Sequence, residues 1–188
     1  MITPNRLTAL RIVIAFISPL LLIWHRSFQN ELIVLISFTI ACITDWWDGH
    51  LARSKSMITW AGKIADPIAD KLLILGLMFT FSFLGLYSFW WVMPILVREI
   101  VVTGIRLLNL KQGTVIPAET AGKIKVGFQI GSIYITLVFL MVLDRGLFLE
   151  PKSMFFVSLQ MGHFLGILSA NVVTILSGFI FLYRLNRQ

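Results

Sequence analysis

The feature that most constrains the fold is a series of long apolar stretches that occupies most of the chain. Six can be drawn, at residues 7–24, 31–53, 62–86, 88–110, 118–143 and 154–183, with short connections between them. A helix needs about 17–25 apolar residues to cross a bilayer, and each stretch has that length or slightly more. Hydrophobic residues make up 57% of the 188-residue sequence, against about 45–50% in a soluble domain. The sequence therefore predicts an all-α, polytopic membrane protein with six transmembrane helices, folded as one domain over residues 1–188.

Basic residues are distributed unevenly over the connections, which predicts the orientation in the membrane. One set of helix ends carries Arg6, Arg11, Arg53, Lys55, Lys63, Arg106, Lys111, Lys123, Lys125, Arg184 and Arg187. The opposite ends carry Arg26, Arg145 and Lys152. Because loops rich in Lys and Arg stay in the cytoplasm, both termini are predicted to be cytoplasmic, and a bacterial inner membrane fits best. The formal net charge of +7 favours anionic lipid or phosphate as partners, and nucleic acid is not expected.

Four aspartates interrupt the apolar sequence near one end of the second and third stretches. Asp45 and Asp48 are spaced i, i+3, and Asp66 and Asp70 are spaced i, i+4, so each pair lies on one face of a helix. Because the two stretches run in opposite directions, all four carboxylates are predicted to face a polar cavity open to the cytoplasm. Such carboxylates repel one another unless cations lie among them, and oxygen ligands favour two Mg²⁺ or Mn²⁺ ions. The alternative is that the acids form salt bridges with nearby bases, namely Arg53, Lys63 or Lys71.

The acids belong to a longer pattern with fixed spacing. The sequence fills D-x2-D-G-x2-A-R-x8-G-x3-D-x3-D at Asp45, Asp48, Gly49, Ala52, Arg53, Gly62, Asp66 and Asp70. In all eight positions it resembles the CDP-alcohol phosphotransferase family. The resemblance implies that the aspartates bind two metal ions that hold the diphosphate of a CDP-linked donor, and that Asp70 is the general base. It also implies that the glycines and Ala52 line the cytidine pocket and that Arg53 lies near the nucleotide phosphates.

Basic residues in the fourth and fifth stretches are candidates for binding the acceptor alcohol. They are Arg98, Arg106, Lys123 and Lys125. Arg98 lies about 12 Å along the helix from Arg106, and an arginine at that depth is costly unless it lines a polar cavity. The four bases are therefore predicted to hold a phosphate group on the acceptor. The alternatives are that the lysines extend to the interface and that Arg98 pairs with Glu99 or Glu119. Adjacent residues point to different helix faces, so pairing within Arg98-Glu99 is not expected.

Three further segments extend the resemblance and bear on the acceptor. P-N-R-L-T-A-L-R, V-R-E-I-V-V-T-G-I-R and T-A-G-K-I-K-V resemble segments of the phosphatidylglycerophosphate synthases, a branch of the same family. The resemblance implies transfer of a phosphatidyl group from CDP-diacylglycerol to glycerol 3-phosphate, with release of CMP. It also implies that Asn5, Thr8 and Arg11 lie at the mouth of the nucleotide site. Helix capping or interfacial anchoring is the alternative for these three residues.

The sequence leaves several alternatives open. The same chemistry could act on another acceptor, such as inositol phosphate, serine or phosphatidylglycerol. An intramembrane prenyltransferase is disfavoured because the chain is too short, and a cation transporter is disfavoured because no internal repeat is found. The pairs Gly127/Gly131 and Gly162/Gly166 permit close helix contact, either within the chain or in a homodimer.

Overall fold

The computed structural model describes residues 4–55, 60–111, 120–145 and 154–185. Within these ranges, side chains are described for all residues except 4–7, 46–55, 60–70 and 110–111. The long helices are α1 (Pro4–Trp24), α2 (Phe28–Lys55), α3 (Trp60–Phe83), α4 (Met93–Lys111), α5 (Thr120–Asp144) and α6 (Met154–Leu185). Over these residues no β-strand is present. The prediction of an all-α chain is confirmed over the described residues, and each apolar stretch contains one long helix.

The connection between α3 and α4 is longer than the sequence analysis expected. α3 ends at Phe83, and Gly85 then has a φ of 76°, a left-handed conformation that glycine adopts without steric cost. A short 3₁₀ helix, Phe89–Trp91, follows. α4 begins at Met93 with Pro94 in its first turn, where the missing N–H of proline removes no helical hydrogen bond. Glycine and proline determine these ends, which apolar content alone did not reveal.

Helix length and burial both identify a polytopic membrane protein. Within the described ranges, α5, α6 and residues Phe28–Asp45 of α2 are long and apolar enough to cross a bilayer, and Thr8–Trp24 and Lys71–Phe83 form shorter apolar helices. Large apolar side chains lie outside, among them Trp24 at 89% and Phe179 at 67% exposure, while polar Gln129 and Thr136 are buried. Helices surrounded by lipid have this distribution, because lipid solvates apolar side chains and polar groups must find partners inside.

Contacts divide the chain into two compact units. Unit 1 comprises Met1–Leu84 with Leu140–Leu149, and unit 2 comprises Gly85–Phe139 with Glu150–Gln188. Each unit has its own buried apolar side chains, such as Phe38 and Leu77 in unit 1 and Leu137 and Phe181 in unit 2. A single domain over residues 1–188 stays a prediction.

In unit 1, α1 packs against both α2 and α3. Gly76 of α3 lies against α1, because a Cβ atom added to it would be 3.5 Å from the carbonyl oxygen of Ala15 and 3.6 Å from Cγ of Pro19. These are ordinary van der Waals distances, so a small residue at position 76 matches the spacing of the two helices. Helix α1 thereby supports the two helices that carry the aspartates.

Unit 1 also contains an ion pair between the α1–α2 connection and the end of α5. Nε of Arg26 lies 3.2 Å and 3.4 Å from the two carboxylate oxygens of Asp144, and Nη2 also contacts Oδ1. The hydrogen bond to Asp144 raises the pKa of the Arg26 guanidinium above its ordinary value. Glu31 is fully buried, with Oε1 4.0 Å from Nε of Arg26. Arg26 therefore faces two carboxylates.

In unit 2, α4 and the 3₁₀ helix pack against α6. α5 also meets α6, since Nε2 of buried Gln129 donates a 3.0 Å hydrogen bond to Oγ1 of Thr174. A Cβ added to Gly166 would lie 3.5 Å from Cα of Ser132 on α5. Gly166 therefore serves packing within the chain. The imidazole of His163 stacks on the rings of Tyr87 and Phe139, with centroids 5.7 Å and 5.0 Å away.

Candidate active site

The eight-position pattern lies on two helices of unit 1. Asp45 through Arg53 belong to α2, and Gly62 through Asp70 belong to α3. The backbone is helical across both segments, so the two members of each aspartate pair are one helical turn apart, as predicted. Asp45 has a described side chain. The other residues of the pattern, and Asn5, have side chains outside the described residues; the pattern residues concerned are Asp48, Gly49, Ala52, Arg53, Gly62, Asp66 and Asp70. The meeting of the four carboxylates therefore stays a prediction.

Asp45 forms an ion pair with α1 that the sequence analysis missed. Nη1 of Arg11 lies 2.9 Å from Oδ1 of Asp45, and the side chain of Arg11 is only 2% exposed whereas that of Asp45 is 51% exposed. Thr8, three residues before Arg11, is also buried, so the two share a face of α1. The partners predicted for the acids as an alternative to metal were Arg53, Lys63 and Lys71, and Arg11 was not among them. The i, i+3 spacing of Thr8 and Arg11 was the available signal.

The donor set of the pattern fits a divalent cation. Its four carboxylates supply only oxygen atoms, which are the ligands that Mg²⁺ and Mn²⁺ prefer. Asp45 keeps one side accessible, since half of its side chain is exposed. Among the side chains that the structure describes, no three His, Cys, Asp or Glu residues lie together in a metal-binding group. The side chains of Asp48, Asp66 and Asp70 lie outside the described residues, so metal binding by the four aspartates stays a prediction.

Unit 2 contains a buried cluster of three charged side chains from α4 and α5, which we call the Arg98–Glu99–Lys125 cluster. Nζ of Lys125 contacts Oε1 of Glu99, and Nη1 of Arg98 lies 3.3 Å from the same oxygen. The exposed fractions of the side chains are 10% for Arg98 and 6% for each of the other two. The expectation that Arg98 and Glu99 do not pair is wrong, because the arginine side chain is long enough to reach its neighbour's carboxylate.

Two residues of α6 that the sequence analysis did not select shape the surroundings of the bases. A Cβ atom added to Gly178 would lie 3.0 Å from Cγ and 3.8 Å from Nε of Arg98. The guanidinium of Arg106 lies over the ring of Phe181, 5.4 Å from its centroid, which is a cation–π distance. Gly178 and Phe181 are about 4.5 Å apart along α6, whereas Arg98 and Arg106 are about 12 Å apart along α4. The two arginines therefore approach a single turn of α6.

The predicted phosphate-binding bases differ in their surroundings. Arg98 and Lys125 meet at Glu99, whereas Lys123 is exposed. The exposure of Lys123 agrees with the alternative that it extends to the interface. Nε of Arg106 is buried and has no hydrogen-bond partner within the described part of the chain. A buried N–H without a partner is energetically costly, and an anion would satisfy it.

Comparison with known proteins identifies the family. A family model described as CDP-alcohol phosphatidyltransferase matches residues 1–167. The chain belongs to the CDP-alcohol phosphatidyltransferase family. The match covers the eight-position pattern and the Arg98–Glu99–Lys125 cluster, and it ends before Gly178 and Phe181. As a member of the family, the chain is a phosphatidyltransferase enzyme, and enzymes of this family generally depend on a divalent metal.

Several curated relatives have related names. The CDP-diacylglycerol–glycerol-3-phosphate 3-phosphatidyltransferase of Bacillus subtilis is 36% identical over 138 residues, which cover 68% of this chain and 72% of that protein. The probable phosphatidylglycerophosphate synthase of Mycobacterium tuberculosis is 39% identical over 152 residues, which cover 79% of this chain and 66% of that protein. A protein of Wigglesworthia glossinidia brevipalpis with the same name as the Bacillus protein is 28% identical over 138 residues, covering 70% of this chain and 74% of that protein.

Proposed function

We propose that this CDP-alcohol phosphatidyltransferase transfers the phosphatidyl group of CDP-diacylglycerol to the 1-hydroxyl of glycerol 3-phosphate, giving phosphatidylglycerophosphate and CMP. The observation that carries the choice of acceptor is the shared naming of relatives that align with about two thirds or more of this chain. The buried bases of unit 2 support an acceptor with a phosphate group, because charge-assisted hydrogen bonds from Arg and Lys suit phosphate oxygens.

The proposed donor site is the aspartate pattern. Two ions, Mg²⁺ or Mn²⁺, would be held by Asp45, Asp48, Asp66 and Asp70, where they would neutralise the diphosphate charge and stabilise the leaving CMP. Gly49, Ala52 and Gly62 would accommodate the cytidine, and Arg53 would contact the nucleotide phosphates. Asn5 and Thr8 would lie at the mouth of this site. The ion pair between Arg11 and Asp45 supports a role for α1 here, because it fixes one of the proposed ligands.

The proposed chemical step is a single displacement at phosphorus. Asp70 accepts the proton of the acceptor hydroxyl, and the acceptor oxygen forms a bond to the phosphorus that bears the diacylglycerol. The bond from that phosphorus to the bridging oxygen of the diphosphate breaks, and CMP leaves with the bond's electron pair. The acceptor's own phosphate would be bound by Arg98, Arg106 and Lys125, with the exposed Lys123 at its outer edge.

The cellular setting is part of the proposal. An enzyme with one lipid-soluble and one water-soluble substrate needs a site at a membrane surface. The distribution of Lys and Arg favours the cytoplasmic side of a bacterial inner membrane, with both termini in the cytoplasm. A homodimer is consistent with Gly127, Gly131 and Gly162, at each of which an added Cβ would meet no described atom within 4 Å.

An acceptor series tests the function directly. Purified protein in mixed micelles receives CDP-diacylglycerol with a labelled phosphatidyl group, Mg²⁺, and either glycerol 3-phosphate, inositol phosphate, serine or phosphatidylglycerol. We expect labelled phosphatidylglycerophosphate with the first acceptor, and loss of turnover when EDTA removes the divalent ion. Faster turnover with any of the other three would identify that compound as the acceptor instead. Ion flux in liposomes without release of CMP would refute the proposed transferase activity.

A further inference from the structure

Glu99 is the one acidic member of the Arg98–Glu99–Lys125 cluster, and it contacts both bases through a single oxygen. Nη1 of Arg98 is 3.3 Å from Oε1, and Nζ of Lys125 contacts the same atom. The three side chains carry two positive charges and one negative charge. Guanidinium and ammonium groups form charge-assisted hydrogen bonds with phosphate oxygens, so the two bases suit a phosphate group.

The surroundings of the two bases come from three helices. Glu99 and Arg98 belong to α4, Lys125 belongs to α5, and Gly178 belongs to α6. Long Arg and Lys side chains lose rotational freedom when they bind an anion, which costs about 0.5–1.5 kcal/mol for each side chain. A carboxylate that already holds both bases removes part of that cost before the acceptor arrives.

We infer that Glu99 is a positioning residue for the acceptor phosphate, holding Arg98 and Lys125 in place while Gly178 leaves room for the Arg98 side chain. The inference rests on the proposed function. Glu99 is not a catalytic residue, because a carboxylate repels phosphate and acts here only through the bases that it contacts. The same contacts would also allow two other roles, a structural ion pair and a neutraliser of excess charge, and the three roles predict different kinetics.

The sign of the change in KM separates the three roles. We expect Glu99→Gln to raise KM for glycerol 3-phosphate at least about tenfold and to leave KM for CDP-diacylglycerol unchanged, because misplaced bases bind phosphate less well. If Glu99 only neutralises charge, the variant becomes more positive and KM for glycerol 3-phosphate falls. If Glu99 is only structural, both KM values stay constant while thermal stability falls. Either of these two results overturns the inference.

Two variants make the test more specific. Glu99→Asp retains the charge on a shorter side chain, and we expect it to restore part of the affinity for glycerol 3-phosphate. Thr174→Val is the control, because it removes the buried hydrogen bond from Gln129 between α5 and α6 without touching the cluster. We expect the control to leave KM for glycerol 3-phosphate within about twofold of the unmodified protein. An equal rise in KM in this control would show that the rise in Glu99→Gln comes from disturbed packing of α5 against α6, and it would overturn the positioning role.

Gly178→Ala tests the placement of Arg98 without changing any charge, and Glu99→Asp tests the role of Glu99 if Glu99→Gln does not fold. The new Cβ would lie 3.0 Å from Cγ of Arg98, near the root of the side chain, so the arginine must shift. We expect KM for glycerol 3-phosphate to rise severalfold and KM for CDP-diacylglycerol to stay constant. Gly162→Ala is the matched control on the same helix, since no described atom lies within 4 Å of its added Cβ. Equal KM values in the two alanine variants would overturn the role of position 178 in placing Arg98.

Failure of the proposed function can be distinguished from failure of this inference. The unmodified protein is assayed first, and absence of turnover with glycerol 3-phosphate refutes the proposed function alone. The variants are then measured with the acceptor that the protein does use. A rise in KM for a different phosphate-bearing acceptor supports the positioning role of Glu99, whereas use of an acceptor without phosphate overturns it.

Discussion

Asp45 and Glu99 are both carboxylates beside an arginine, yet their burial gives them different chemical uses. Asp45 is half exposed and pairs with buried Arg11, so one side of the carboxylate can still accept a cation. The side chain of Glu99 is only 6% exposed and contacts two bases, so these buried charges would have to separate before Glu99 could change partners. Exposure therefore suits Asp45 to a ligand that binds and leaves, and burial suits Glu99 to a fixed position.

Asp70→Asn tests the residue proposed as general base. Asparagine has nearly the same shape but cannot accept the hydroxyl proton, so we expect kcat to fall by about 10²- to 10⁴-fold. Because three carboxylates of the pattern remain, binding of CDP-diacylglycerol should stay largely intact. Single-turnover release of CMP and equilibrium binding of the CDP-lipid measure the two effects separately. Near-normal turnover would remove Asp70 as the base.

Residue positions along a helix could be predicted from the sequence, but partners across helices could not. The helical spacing of the aspartate pairs follows from local periodicity. The contact of Arg11 with Asp45 depends on how α1 packs, and the use of one Glu99 oxygen by two bases depends on α5. Gly178 had no distinguishing signal either, because a glycine in an apolar helix resembles any other small residue. Each missed residue acts through a tertiary contact.

At the scale of the helices, Arg26 links the α1–α2 connection to α5 and should contribute measurably to the stability of unit 1. It donates to Asp144 at the end of α5 and lies 4.0 Å from fully buried Glu31 on α2. We expect Arg26→Gln to lower the free energy of unfolding by about 2 kcal/mol, since two carboxylates lose their facing cation. Asp144→Asn should cost about 1 kcal/mol, because the pair is partly exposed and Arg26 still faces Glu31.

Thermal unfolding in detergent measures these differences, at about 2–4 °C for each kcal/mol in a chain of this size. His25→Gln is the control, because His25 is an exposed neighbour of Arg26 and its backbone carbonyl, which accepts a hydrogen bond from Asn30, is kept. We expect no shift in its midpoint. A larger loss in Asp144→Asn than in Arg26→Gln would contradict the view that Arg26 serves both carboxylates.

Across the described residues, each apolar stretch predicted from the sequence contains a long helix, but the sequence did not show which of these helices are unambiguously membrane-spanning. α5 and α6 are long and apolar, and they need no tertiary context to be identified as spans. α4 carries Arg98, Glu99, Arg106 and Lys111 within 19 residues, and its length and hydropathy alone do not mark it as a span. The pairing of Glu99 with Arg98 and Lys125 offsets part of the cost of charge in such a helix, and that pairing is not visible in the sequence.

Cysteine labelling tests whether α4 crosses the membrane and how the chain is oriented. Cys42 is the single cysteine of the sequence, so Cys42→Ala gives a background in which one new cysteine reports one position. We expect a membrane-impermeant maleimide to label Ser88→Cys and Glu150→Cys in intact bacterial cells. Gly113→Cys and Gln188→Cys should react only after the membrane is opened, because Lys and Arg favour the cytoplasm. The Cys42→Ala protein without a new cysteine should stay unlabelled in both conditions.

The pattern of labelling separates the two ways in which the predicted topology could fail. If Ser88→Cys and Gly113→Cys react under the same condition, α4 does not cross, and its four charged residues stay at one surface. If all four positions react with the opposite preference, α4, α5 and α6 still cross the membrane but the orientation is reversed. The proposed CDP-linked and phosphate-bearing substrates are reached from the cytoplasm. A reversed chain would place its basic helix ends on the opposite side of the membrane. The proposed reaction therefore requires both the crossing of α4 and cytoplasmic labelling of position 188.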